Sequence, residues 1–231
     1  MLDWALLRDC LATIPRGLPL TLGLIALSAP PAFGLALLLA ALRRSAVKPA
    51  AALARAYAAL FRGTPLLVQL FLFYYGSGNI AFIRQTPFLW WLFADGFRVA
   101  VLVLSLNSAA YLSEILTGGF KAVPPGLSAA AAALGMTKRA AFFAVELPLA
   151  WRQALPACGN ELILSVKATG LASTIAVMEM MSYSKRLFSS TFAPLEVFIA
   201  CACFYLLINF ALVCLIKAAE RYFMRPGGRA G

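Results

Sequence analysis

Of 231 residues, 62% are apolar, only 13% are charged and none is histidine, while the formal net charge is +11. A soluble domain carries about a quarter charged residues, so this composition, with a mean hydropathy of +0.85, makes a bilayer the solvent. Without histidine there is no Ser-His-Asp triad, HExxH zinc site or imidazole relay, and the basic residues, scattered between apolar blocks, form no single stripe for nucleic acid.

The opening stretch sets Trp4, Leu6, Leu7 and Leu11 among charges and reads as a short amphipathic helix on the membrane surface. Asp3 and Asp9 spoil the positive leader of a cleaved signal peptide. A span takes about 20 mostly apolar residues. Blocks of that kind occupy about 18–42, 54–76, 97–117, 154–178 and 195–217, giving five spans in a single domain of 1–231. Their continuous apolarity excludes the alternating strands of a barrel, so the expected class is all-α integral membrane. Pro30 and Pro31 predict a kink or local unwinding in mid-span one, and Pro65 and Pro156 allow similar bends in spans two and four. Gly23, Ala26, Ser28 and Gly34 allow close helix approach. Residues 84–95, with Trp90 and Trp91, suit the headgroup level.

Lysine and arginine set the orientation. Arg43, Arg44, Lys48, Arg55, Lys121, Lys138, Arg139, Arg152, Lys217, Arg221, Arg225 and Arg229 fall on one side, against Arg8, Arg16, Arg84, Lys185 and Arg186 on the other. The richer side is cytoplasmic. The N-terminus is then periplasmic, the C-terminus cytoplasmic, and the connection 118–153 cytoplasmic.

Chemistry of its own is not expected from this chain. It has no G-x-x-x-x-G-K-[ST] phosphate loop, and its aspartates, Asp3, Asp9 and Asp95, sit at span ends or in connections. Cys10, Cys158, Cys201, Cys203 and Cys214 form no CxxC pair and read as inert thiols, without a metal site. A passive or externally driven pathway remains, with no catalytic residues of its own.

The connection 118–153 carries the strongest signal. Ala129 to Ala133 is a run of the best helix former. Ser128 stands before it as an N-cap, Gly135 after it as a left-handed stop, and Thr137 caps a second helix running towards Leu147-Pro148. Two short helices about a glycine bend follow. A smooth, alanine-rich helix suits docking in a groove on a partner protein.

The spacing of Ala130-Ala131, Gly135 and Leu147-Pro148 resembles the EAA loop of ABC importer membrane subunits. Further segments resemble the polar amino acid permeases, in particular the M-type members of the histidine/lysine/arginine/ornithine and opine branch. These are Phe61-Arg62-Gly63-Thr64-Pro65-Leu66, Leu106-Asn107-Ser108-Ala109-Ala110-Tyr111, Glu114-Ile115, Gly135-Met136, Leu155-Pro156 and Asn160-Glu161. The resemblance implies a type I ABC importer permease fold in a bacterial inner membrane. It makes the loop a coupling helix, with Gly126, Ala129, Ala130, Ala131, Leu134, Gly135, Lys138, Arg139, Leu147 and Pro148 at the contact with an ATPase. It also implies the partners: two ATPase copies carrying ATP and Mg, a second permease chain of the Q type, and a periplasmic binding protein. The family's loop glutamate falls here on Ala129, its preceding glutamine on Leu127 and its usual arginine on Thr117. Coupling must then lean on shape and on Lys138 and Arg139. A self-sufficient secondary transporter or channel is the alternative, but it would require internal inverted repeats.

Ionisable groups inside spans are functional candidates, because hydrocarbon penalises them. Arg62, Arg98 and Glu196 lie near span ends, where snorkelling explains them. Glu161, Asn160, Glu114, Lys167 and Asn107 are the substrate-pathway candidates. Glu161 and Lys167 are six residues apart, roughly 1.7 turns and about 9 Å along a helix on nearly opposite faces, so neither neutralises the other. A carboxylate facing a wet cavity suits a basic amino acid; a structural ion pair locking two helices is the other reading for Glu161, Glu114 and Lys167, and the resemblance favours Glu161 for the substrate.

Overall fold

The computed structural model describes residues 4–223, and its elements are helical throughout. Asp3, Arg225 and Arg229 lie outside the described residues. Helix α1 (Trp4–Thr13) passes through a 3₁₀ turn at Ile14–Gly17 into α2 (Leu18–Arg44), making one run of 41 residues. The expected surface helix is thus continuous with α2. Leu6 is buried with Cys10, Ile14, Met180, Val197 and Cys201, while Trp4 and Leu11 stay exposed.

Helix α2 continues through Pro30 and Pro31 without unwinding. Each proline removes a donor from a carbonyl four residues back. Lateral packing holds the helix: Ala32, Ala36 and Ala40 bury against Leu112, Leu116 and Ala154, and the Ser105 hydroxyl donates to the Ser28 carbonyl at 3.2 Å. Neighbouring helices commonly support proline in membrane helices this way.

The second apolar block is not a straight span. Helix α3 (Lys48–Gly63) ends at Thr64, whose backbone is extended because a proline follows, and α4 (Leu66–Phe71) leaves at 100° to run on towards Asn79. Gln69 seals the elbow, its amide donating to Phe61 O at 2.9 Å and Thr64 Oγ1 at 2.8 Å. Short helices α5 (Ala81–Gln85) and α6 (Pro87–Phe93) follow, leaving Trp90 and Trp91 exposed.

Helix α7 (Gly96–Lys121) starts on an Asp95 cap that accepts from Arg98 N at 2.9 Å. Beyond it come α8 (Pro125–Ala133) and α9 (Lys138–Ala141), then a π-helical turn at Phe142–Glu146 that carries the chain into α10 (Leu147–Ala168). The fourth block thus begins at Leu147, ahead of the expected 154, and Pro156 lies inside the helix. A 3₁₀ segment at Thr169–Ile175 then leads to α11 (Met180–Thr191), bent by 53°. Last is α12 (Pro194–Phe223).

Helix α7 is the centre, packed against α2 on one side and α10 on the other. The backbones meet at Gly119, where an added Cβ would lie 2.6 Å from the Ala150 carbonyl oxygen. Gly34, by contrast, has no neighbour within 4 Å of such an atom. Close approach falls on Gly119 because that residue faces another helix. Three helical runs are long and apolar enough to cross a bilayer singly, Trp4–Arg44, Gly96–Lys121 and Pro194–Arg221, and the two bent pairs supply two more if each is one span. Only 11% of the apolar window of the last run is buried, so that face needs lipid or another chain.

Candidate functional site

Two features of the fold gather the polar groups: the short-helix connection at one end, and a set of side chains among α2, α3, α7 and α10.

In the connection, α8 and α9 meet about Gly135, which holds φ at +75°, and Thr137 Oγ1 caps α9 by accepting from Ala140 N at 3.2 Å. Both features match the expectation. The start of α8 does not: it begins at Pro125, a residue preorganised for a first helical turn. Ser128 thus stands inside the helix instead of capping it. Its hydroxyl donates to Glu146 Oε1 at 2.9 Å, and the other carboxylate oxygen pairs with Arg44 Nη2 at 2.9 Å. The Arg44 guanidinium lies 4.1 Å over the Phe120 ring, which stacks on Phe142. The alanines divide by face. Ala131 is 3% exposed and turns inward, while Gly126, Leu127, Ala129, Ala130 and Leu134 face outward, Leu134 being 83% exposed. Lys138, Arg139 and Pro148 are exposed, and Leu147 is half-buried.

Among the intrahelical candidates, Glu114 of α7 is gripped by two arginines. Arg43 makes a forked pair with both carboxylate oxygens at 2.7 and 2.8 Å, and Arg62 reaches the same group at 2.9 Å. The three residues tie α2, α3 and α7 together. Asn107 also binds structure: its amide donates to Phe61 O at 3.2 Å and Gln69 Oε1 at 3.0 Å, fastening the α3–α4 elbow to α7.

Glu161 differs. It is 8% exposed, has Ser108 as a hydrogen-bonding neighbour, and makes no ion pair among the described residues. Its side chain lines two cavities. One, of about 260 Å³, lies towards Ser28, Phe33 and Trp151; the other, of about 220 Å³, lies towards Asn107, Tyr111 and Ser165. Asn160 is exposed on the adjoining face. Lys167 is exposed too and lines a separate cavity with Phe198 and Tyr205, as the helical offset from Glu161 requires.

Of the acids the sequence reading passed over, two have defined partners. Glu146 is one. The other is Glu179, wholly buried, which accepts from Met181 N, Ser182 N and Tyr205 Oη, all within 2.9 Å. The available signal was scarcity: with nine acids in the chain, one in an apolar stretch needs a partner.

The model of the family described as the binding-protein-dependent transport system inner membrane component matches residues 17–224. The chain belongs to that family. It is 39% identical to the nopaline transport system permease protein NocM of Agrobacterium fabrum over 99% of this chain and 95% of that protein. It is 41% identical to the arginine ABC transporter permease protein ArtM of Escherichia coli over 73% of this chain and 75% of the relative. Among solved structures, the crystal structure of an amino acid ABC transporter with histidines superposes with a TM-score of 0.84 at 32% identity, covering 96% of this chain and 99% of that one. The MetNI methionine transporter in an inward-facing form shares the fold alone, with a TM-score of 0.67 at 16% identity.

The chain is therefore a multi-pass ABC transporter permease, a transport subunit whose ATPase is a separate protein. Membership also removes the self-sufficient transporter, since a permease of this family works with a binding protein.

Proposed function

We propose that this permease forms half of the translocation pathway of an ATP-driven importer for basic amino acids or opines in a bacterial inner membrane. Five spans are read, two of them bent, with the N-terminus periplasmic and α8 on the cytoplasmic side, where the lysines and arginines concentrate. Two ATPase copies bind ATP and Mg and receive α8 and the loop around it. A second permease chain, of the Q type, closes the pathway against the apolar faces this chain leaves open, and a periplasmic binding protein delivers the substrate. Relatives named for nopaline, octopine and arginine support the substrate class.

The single observation behind this substrate assignment is Glu161. A carboxylate kept from water without a cation is costly, and here it faces two cavities while Glu114, on the neighbouring helix, already has its arginines. A guanidinium or ammonium entering either cavity supplies the missing charge. Glu114 and Asn107 then act by positioning helices, and Glu161 by touching the cargo.

The test is Glu161→Gln in the complete transporter reconstituted in vesicles, assayed with labelled arginine, octopine and nopaline. Uptake should fall by about tenfold or more, the cost of roughly one charge-assisted hydrogen bond, while the subunits still copurify. Uptake at the wild-type rate would reject the role of Glu161.

A further inference from the structure

We propose that Glu146 is the positioning residue of coupling, holding the docking helix α8 in fixed register on the end of span one. The proposal rests on α8 being the segment that docks on the ATPase.

The sequence of α8, PGLSAAAAA, contains one hydrogen-bonding side chain, Ser128. A nine-residue helix is marginal by itself in water, and the methyl of Ala131 gives it little to bury. The covalent route from α8 into α10 passes the left-handed Gly135 and then a π-helical turn, and the route from α7 passes Ala122, Val123 and Pro124. A side-chain link fixes α8 independently of both. Glu146 provides one. It is the sole acid between residues 118 and 153, and it divides its oxygens between Ser128 of α8 and Arg44 at the end of α2, each at 2.9 Å. Arg44 is itself fixed over Phe120 at 4.1 Å, and Phe120 lies near the end of α7. One carboxylate therefore connects the docking helix to α2 directly and to α7 through Arg44.

The experiment uses the complete transporter in proteoliposomes and measures ATP hydrolysed per labelled arginine imported, with amide hydrogen exchange of residues 125–134 as a second readout. With Arg44 38% and Glu146 24% exposed at the side chain, the link biases the orientation of α8 by roughly threefold to tenfold. Ser128→Ala and Glu146→Ala should each raise ATP consumed per arginine by about threefold or more and speed exchange in α8, while the ATPase still copurifies. The double variant should be no worse than Glu146→Ala, because both changes cut one link. Glu146→Gln, which keeps neutral hydrogen bonding but loses the ion pair with Arg44, should fall between. Ser128→Ala removes a single hydroxyl and keeps the test usable should Glu146→Ala fold poorly. An unchanged ratio in Ser128→Ala, multiplying effects in the double variant, or loss of the ATPase from Glu146→Gln would each overturn the proposal. A wild-type chain whose uptake ignores the ATPase would instead strike at the docking reading beneath it.

Discussion

Glu114 and Glu161 interrupt the apolar helices α7 and α10, yet only Glu114 is neutralised within the described chain. The difference lies in what the neighbouring helix ends carry. Arg43 closes α2 and Arg62 closes α3, and both termini converge on α7 at Glu114. Arg43 is the buried partner, 9% exposed at the side chain against 42% for Arg62. Arg43→Met leaves Glu114, 37% exposed at the side chain, to Arg62 alone, and an exposed pair contributes little. Arg43→Met should therefore destabilise the detergent-solubilised protein by about 1–3 kcal/mol, the loss of its charged hydrogen bonds, and Arg62→Met by about 1 kcal/mol or less. Thermal melting of the two variants side by side checks this; equal losses would contradict the assignment. Glu161 was legible in the sequence because a lone carboxylate in an apolar run is conspicuous. Glu146 was not, because its partners lie 18 and 102 residues away, and no local pattern announces them.

The proline-marked breaks were readable as places, less so as outcomes. Thr64-Pro65 does bend the chain, but the 100° turn depends on Gln69 taking over freed carbonyls and on Asn107 pinning the result from another helix. Pro30-Pro31 does not unwind α2, since α7 packs along it. The two short helices about Gly135 followed from alanine propensity, glycine freedom and the Thr137 cap, all local signals. Which face of α8 points outward did not, because five consecutive alanines have no amphipathic pattern. The structure turns Ala131 in and Leu134 out. Leu134→Glu should accordingly abolish ATPase copurification with little change in melting temperature. Ala131→Glu should lower the melting temperature first, since it forces a charge into a closed contact at a cost of several kcal/mol. Reversed behaviour of the pair would show that the docking face lies elsewhere.

For the whole molecule, composition identified the bilayer and the loop pointed to the family, and the match over residues 17–224 establishes it. The architecture explains why such a chain does not transport alone. One helix-lined wall carries, between two small cavities, a carboxylate with no ion pair among the described residues, and its last helix leaves most of its apolar surface open. In the proposed transporter, partners on three sides complete it: a second permease laterally, a binding protein at the periplasmic end, and an ATPase beneath α8. In the proposed cycle, nucleotide-driven closure of the ATPase moves α8, and the Glu146 link carries that motion into α2 and α7, a rigid-body rocking of packed helices.

The most direct measurement places a photoactivatable cross-linking residue at position 134 in membranes holding the whole transporter. Illumination should join this chain to the ATPase subunit, with a yield that changes when ATP is added. Adducts only with lipid or with this chain itself, or labelling of position 134 by an impermeant reagent from the periplasmic side, would show that α8 is not the point at which the nucleotide cycle enters the membrane.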